Sequence, residues 1–127
     1  MIVLDTHALI WLALTPGRLS KTASTRISEG PLAISAITFL EIGHLIRKKR
    51  LKISASLTEF VNSIRETYDI EVIPLTPEIV ETSIDLLPEV NADPADRIIS
   101  ATAIVHRAEL LTKDKNLRKA KEIPTVW

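Results

Sequence analysis

The stretch Met1-Ile2-Val3-Leu4-Asp5-Thr6-His7-Ala8-Leu9-Ile10-Trp11-Leu12-Ala13-Leu14 decides the fold. Its opening apolar run, closed by a carboxylate, is the pattern of a strand buried on both faces. From His7 the chain stays apolar for the length of a short helix, which Pro16-Gly17 stops. A buried strand that passes through one acid into a helix opens a strand–helix–strand unit with parallel strands.

The same alternation runs to the end of the chain. Ser20 can cap a helix to Glu29, ended by Gly30-Pro31, and Leu32 to Ser35 reads as a strand. Ala36 to about Lys49 reads as a helix with Ser35 as N-cap. Ser56-Leu57-Thr58-Glu59 has capping-box spacing and opens a helix to about Tyr68. Ile70 to Leu75 is a strand, and Thr76-Pro77-Glu78 starts a helix ending near Leu87. Asp93-Pro94-Ala95-Asp96 starts a further helix reaching Arg107. Leu110 to Thr112 is a strand, and Thr125-Val126-Trp127 supplies a last edge strand. The expectation is an α/β three-layer sandwich, an open and mostly parallel sheet flanked by helices, as a single domain over residues 1–127.

Charge is balanced, with 16 basic and 16 acidic residues, so net charge selects no partner. Its distribution is uneven. Between Glu59 and Asp96 there are ten acids and one base, Arg65, whereas Arg47 to Lys52 and Lys113 to Lys121 hold five bases each. That asymmetry suits a polyanion lying across the basic parts, although solvated helix ends have the same look. With no cysteine, disulfides and thiolate zinc sites are excluded. No basic segment precedes the first apolar run, and the longest apolar stretch, Ala8 to Leu14, is far below the ~20 residues of a membrane span. A soluble, cytoplasmic protein is expected, with no membrane association.

Asp5, Glu41, Asp96 and Asp114 are the candidate site. Asp5 ends one predicted strand and Asp114 closely follows another, outside the carboxyl ends of the sheet where open α/β folds hold their ligands. Glu41 sits among Ile37, Phe39, Leu40, Ile42, Leu45 and Ile46 on its helix, with no polar stripe to join. Asp96 lies in the first turn of its helix, on a face with Ser100, Ala103 and Arg107 whose small residues permit close approach to the strand ends. Singly, each has an ordinary explanation: a buried ion pair for Glu41, a helix-end charge for Asp96, a cap for Asp5 or Asp114, as Asp93 is for its helix. Together, four carboxylates repel too strongly for scaffolding, and a divalent cation relieves the repulsion. An all-oxygen set selects Mg²⁺ or Mn²⁺, whose natural work is to stabilise a phosphoryl group under attack by water. Thr6 and Thr112 are placed to orient the carboxylates, and His7 is near enough to Asp5 to assist. His44 and His106 read as partly buried helix residues, and Trp11 and Phe39 as core rather than base-stacking platforms. There is no glycine-rich phosphate loop and no nucleophile elbow.

At these residues the sequence resembles the PIN-domain family, and within it the VapC-type toxins of type II toxin–antitoxin pairs. The resemblance is carried by Leu4-Asp5-Thr6-His7-Ala8-Leu9-Ile10-Trp11, Ile34-Ser35-Ala36-Ile37-Thr38-Phe39-Leu40-Glu41-Ile42, Asp93-Pro94-Ala95-Asp96-Arg97-Ile98-Ile99-Ser100-Ala101-Thr102-Ala103 and Leu110-Leu111-Thr112-Lys113-Asp114. It implies a PIN-like sandwich and a Mg²⁺- or Mn²⁺-dependent endoribonuclease with Asp5, Glu41, Asp96 and Asp114 as metal-binding acids, leaving a 5′-phosphate. It also implies a small VapB-like antitoxin as partner and a homodimer or toxin–antitoxin hetero-oligomer. Arg47, Lys48, Lys113 and Lys115 would hold the RNA backbone, and Arg97 a phosphate or an antitoxin carboxylate, its ordinary alternative being a surface ion pair. Two positions depart from close relatives, which often have histidine where Asn91 stands and a large aromatic where Ala95 stands. Rival readings are a PIN-like nuclease for RNA processing or structured DNA without an antitoxin, and an idle PIN scaffold. A haloacid-dehalogenase-like phosphatase is disfavoured because His7 stands where that family needs a second aspartate.

Overall fold

All five strands lie in one parallel sheet in the computed structural model, which describes residues 1–127. They are β1 (Ile2–Leu4), β2 (Leu32–Ser35), β3 (Ile70–Ile73), β4 (Glu109–Leu111) and β5 (Thr125–Val126). Their order is β3-β2-β1-β4-β5, with every neighbouring pair parallel, so the expected mostly parallel sheet is wholly so. The chain starts at the centre, winds outward through β2 and β3, then crosses back to β4 and β5. The order therefore reverses between β1 and β4, and the crevice outside their carboxyl ends is the switch point of the fold.

Seven helices cover the sheet: α1 (Thr6–Leu14), α2 (Lys21–Glu29), α3 (Ile37–Arg47), α4 (Leu57–Tyr68), α5 (Pro77–Asp85), α6 (Pro94–Val105) and α7 (Lys115–Lys119). Strand side chains alternate between two buried clusters, as the pleat requires. Ile2, Leu4, Leu32, Ile34, Ile70 and Leu111 pack with α1, α2, α3 and α4. Val3, Ala33, Ile73 and Leu110 pack with α5, α6 and α7 on the other face. Complete burial of Leu4, Ile34, Ile99 and Leu110 contributes about 1.5–3 kcal/mol per side chain.

Local chemistry sets the element ends. Asp5, Ser20, Ser56, Thr76 and Asp93 each accept a backbone N–H at a helix start. Because Asp5 does so for Thr6, α1 begins one residue earlier than its apolar run suggests. Ser35 accepts from the Ile37 N–H at 3.3 Å, while Ala36 already has helical dihedrals. Four ends fall about two residues short of expectation, while β4 is shifted one residue earlier and β5 ends one residue sooner. Helix α3 stops at Arg47 because Lys49 turns left-handed, at φ 57°. Strand β3 stops at Ile73, where Pro74 has no N–H for the ladder. Helix α5 stops at Asp85, with Leu86 extended. Helix α6 stops at Val105, with Arg107 left-handed at φ 51°, so Arg107 lies beyond the helix whose face it was expected to share. A turn of 3₁₀ helix at Pro16–Arg18 and all of α7 were not anticipated.

Candidate metal centre

The switch point gathers three of the four candidate acids. One carboxylate oxygen from each of Asp5, Glu41 and Asp96 lies within 4.8 Å of the others. Asp5 leaves β1 and is 8% exposed. Its Oδ1 accepts from the Thr6 N–H at 2.7 Å and its Oδ2 from the Thr112 hydroxyl at 2.7 Å, so both oxygens are oriented by the chain. The Thr6 hydroxyl donates to Glu41 Oε1, tying α1 to α3 across the site. Thr6 and Thr112 are themselves buried. Asp96 rises from the first turn of α6, where Ser100 and Ala103 are fully buried on the way to the sheet. Asp93 serves as the α6 cap, accepting from the Ala95 N–H at 2.9 Å.

Asp114 stands outside this trio. Its Oδ1 caps α7, accepting from Asn116 and Leu117 N–H groups at 2.8 and 3.0 Å. Its Oδ2 faces Asp96 through Asn91, whose Nδ2 donates to Asp96 Oδ2 at 3.2 Å and to Asp114 Oδ2 at 3.3 Å. The two carboxylates call for the N–H end of the amide, and the Asn91 Oδ1 accepts from Asn116 at 3.2 Å. A neutral amide thus bridges two carboxylates that would otherwise repel. Nothing in the sequence marked Asn91 for this task beyond its departure from close relatives.

The electrostatics follow from burial and crowding. Burial, reinforced by Asp5, Asp93, Glu41 and Asp114, pushes the Asp96 carboxyl up to about 7. Burial also raises Asp5, against the pull of its bonds to Thr112 and Thr6 and of the nearby His7. Glu41 is raised for the same first reason, with Asp5 and Asp93 adding to it and Thr6 opposing. Carboxyls raised in this way hold their protons tightly because their negative charges are buried and crowded, a cost that a hard divalent cation would relieve, and one oxygen from each already converges.

The remaining expectations divide. Arg97 is turned away from the acids: its guanidinium donates to the carbonyls of Ser83, Leu86, Leu87 and Asn91, holding the loop between α5 and α6. In this position Arg97 braces the loop beside the acids. Arg47, Lys48, Lys113 and Lys115 are exposed, and Lys48 shares with Glu41, His7 and Ala95 the lining of a cleft of about 420 Å³. A larger cavity, about 540 Å³, lies beside Val90 and Ala120, away from the trio. His44 and His106 are exposed rather than partly buried, because His44 faces that cleft and His106 follows the end of α6. Phe39 packs against the first core cluster, as expected. Trp11 does not belong to it: the ring is half-buried between His7, Trp127, Arg18 and Lys113.

A wholly parallel, doubly wound sheet with converging carboxylates at its switch point defines an α/β protein built around an acidic, cation-competent site. The PIN domain family matches residues 2–123, and the chain belongs to that family. It is 33% identical to Ribonuclease VapC22 of Mycobacterium tuberculosis (strain ATCC 25618 / H37Rv), covering 99% of this chain and 98% of that one. Among solved structures it is similar to a toxin–antitoxin complex from Klebsiella pneumoniae, at 25% identity and TM-score 0.67 over 100% of this chain and 97% of that one. It also shares its fold with VapBC2 of Rickettsia felis bound to a promoter DNA fragment, at 16% identity and TM-score 0.74 over 99% and 98% of the two chains.

Proposed function

We propose that the chain is a divalent-metal-dependent endoribonuclease that acts in the cytoplasm as the toxin of a toxin–antitoxin pair. The observation that carries this is the convergence of Asp5, Glu41 and Asp96 at the switch point. The family and the full-length similarity to a ribonuclease support it.

Asp5, Glu41 and Asp96 would hold Mg²⁺ or Mn²⁺, with Asp114 adding negative charge from behind Asn91. The ion would supply Lewis-acid stabilisation of phosphoryl charge and a more acidic water. Thr112 and the Thr6 N–H fix the Asp5 carboxylate, while the Thr6 hydroxyl fixes Glu41, so the donor set is arranged before any ligand arrives. Arg47, Lys48, Lys113 and Lys115 attract the phosphate backbone and steer a strand over the acids. Water attacks phosphorus in line, the bond to the 3′ oxygen breaks, and that oxygen takes up a proton from solvent and leaves as a hydroxyl while the phosphate stays on the 5′ oxygen of the downstream fragment. A small VapB-like antitoxin would inhibit by covering the acidic pocket, in a toxin–antitoxin hetero-oligomer or on a homodimer of this chain. Support for that partner comes from the similarity to a toxin–antitoxin complex.

The test is brief expression of the wild type and Asp5→Asn in a bacterial host, with sequencing of new 5′-phosphate RNA ends. Ends confined to particular sites and absent from the variant are expected. A folded, antitoxin-free protein that creates no variant-sensitive ends would overturn the reading.

A further inference from the structure

In a parallel sheet every strand delivers its next residue to the same edge. Asp5 follows β1, Asp114 follows β4 by three residues, and Trp127 follows β5, in neighbouring strands. At about 4.8 Å per strand, Trp127 lies roughly 10 Å along the edge from Asp5. There, half-buried and packed in part against the first core cluster, it lines an open cleft of about 490 Å³ whose other polar walls are Lys115, Arg118, Lys119 and Thr125, with no acidic side chain among the lining residues.

Two features connect this cavity to the acids. Trp127 meets Trp11 edge to face, with ring centroids 5.7 Å apart, and Trp11 in turn meets His7 at 6.0 Å. His7 stands two residues from Asp5. Lys113 Nζ and the Arg18 guanidinium lie 5.7 and 4.5 Å from the Trp11 ring centroid, and Lys113 adjoins Asp114. Three rings in contact, His7, Trp11 and Trp127, with two cations over the middle one, therefore run from the acidic centre to the cavity. Salt bridges with protein carboxylates need only the cations, whereas a nucleotide chain offers a flat base and an anion at each step.

We propose that the cleft between α7 and β5 is a nucleotide subsite, in which a base of single-stranded RNA stacks on Trp127 and its phosphate is held by Lys115, Arg118 and Lys119. The inference rests on the ribonuclease reading and adds where the strand flanking the cut lies.

Titration of the metal-free chain, in EDTA so that nothing is cut, with an unstructured oligoribonucleotide about ten nucleotides long tests this by tryptophan fluorescence. Trp11→Phe leaves Trp127 as reporter, and its emission should be quenched on binding. Trp127→Phe should lose most of the quenching, and Trp127→Ala should bind about fivefold more weakly or worse. The surface pair Arg118→Ala with Lys119→Ala leaves the core untouched and should reduce the slope of log affinity against log salt by about 1.4. RNA that binds by anisotropy without quenching Trp11→Phe, and with an unchanged slope in the paired variant, would overturn the subsite while leaving the ribonuclease reading intact. A polyglutamate peptide that quenches as strongly at the same salt would overturn it in favour of an acidic protein segment. RNA that binds nowhere on the wild type in EDTA would overturn the subsite, while the sequencing of RNA ends decides the ribonuclease reading separately.

Discussion

Asp96 is the residue at which the site's physics is most sharply testable. Its carboxyl sits at about 7 because it is buried among other carboxylates, and Asn91 supplies the one side-chain donor that reaches it. Asp96→Asn keeps the shape and removes a charge, so the metal-free variant should melt about 3–6 °C above wild type, corresponding to about 1 kcal/mol. Mn²⁺ should raise the melting temperature of the wild type and leave the variant's unmoved, by linkage to a site only the wild type retains. A wild-type melting curve indifferent to millimolar Mn²⁺ would rule out the centre as drawn. Glu41 was conspicuous in the sequence because an acid on an apolar helix needs a reason. Asn91 was not, because an amide in a loop needs none; its role exists only where the loop, α6 and α7 meet.

At the scale of elements, starts were legible and stops only in part: α1, α2 and α4 end where expected, at Leu14, Glu29 and Tyr68, whereas α3, α5 and α6 stop two residues early. A cap is a bond between residues a few positions apart, so Ser20, Ser56, Thr76 and Asp93 announce helices that do begin beside them. The left-handed turns at Lys49 and Arg107 carry no glycine to announce them. The loop between α5 and α6 is the clearest instance of a conformation held from a distance, by one guanidinium on four carbonyls. Arg97→Ala should lower stability by about 2–4 kcal/mol, with the exposed bonds contributing least, and should open residues 86–92 to proteolysis. Arg97→Lys should not restore it, since an ammonium cannot span the same carbonyls. A urea midpoint unchanged in Arg97→Ala would show the clamp to be idle.

For the whole molecule, the raised carboxyls couple folding to pH. A carboxyl whose folded value lies above its unfolded value of 3.8 makes the native state bind protons more tightly than the unfolded chain. Its stabilising effect is complete below about 4 and is lost as pH rises towards 7. The metal-free protein should therefore be more stable at pH 5 than at pH 8, by about 1–2 kcal/mol once partial exposure of Asp96 is allowed for. With saturating Mn²⁺ the trend should flatten or reverse, because the cation replaces the protons. Urea unfolding at the two pH values, with and without Mn²⁺, reads this directly. Greater stability at pH 8 in EDTA would contradict the sign.

The order of strands and helices, the caps and the apolar faces followed from the sequence because they depend on periodicity and on bonds between near neighbours. The candidacy of Asp5, Glu41, Asp96 and Asp114 was legible because each acid interrupts a pattern that has no local use for charge. What tertiary structure alone decided was which of them meet. The crossing from β3 to β4 brings the start of α6 over the end of β1, setting Asp96 beside Asp5 and Glu41, while Asp114 turns to cap α7 and reaches Asp96 only through Asn91. Arg97 and Trp11 were assigned by packing for the same reason. Residues far apart in the chain acquire partners only when the sheet and its helices close, and no local pattern encodes that distance.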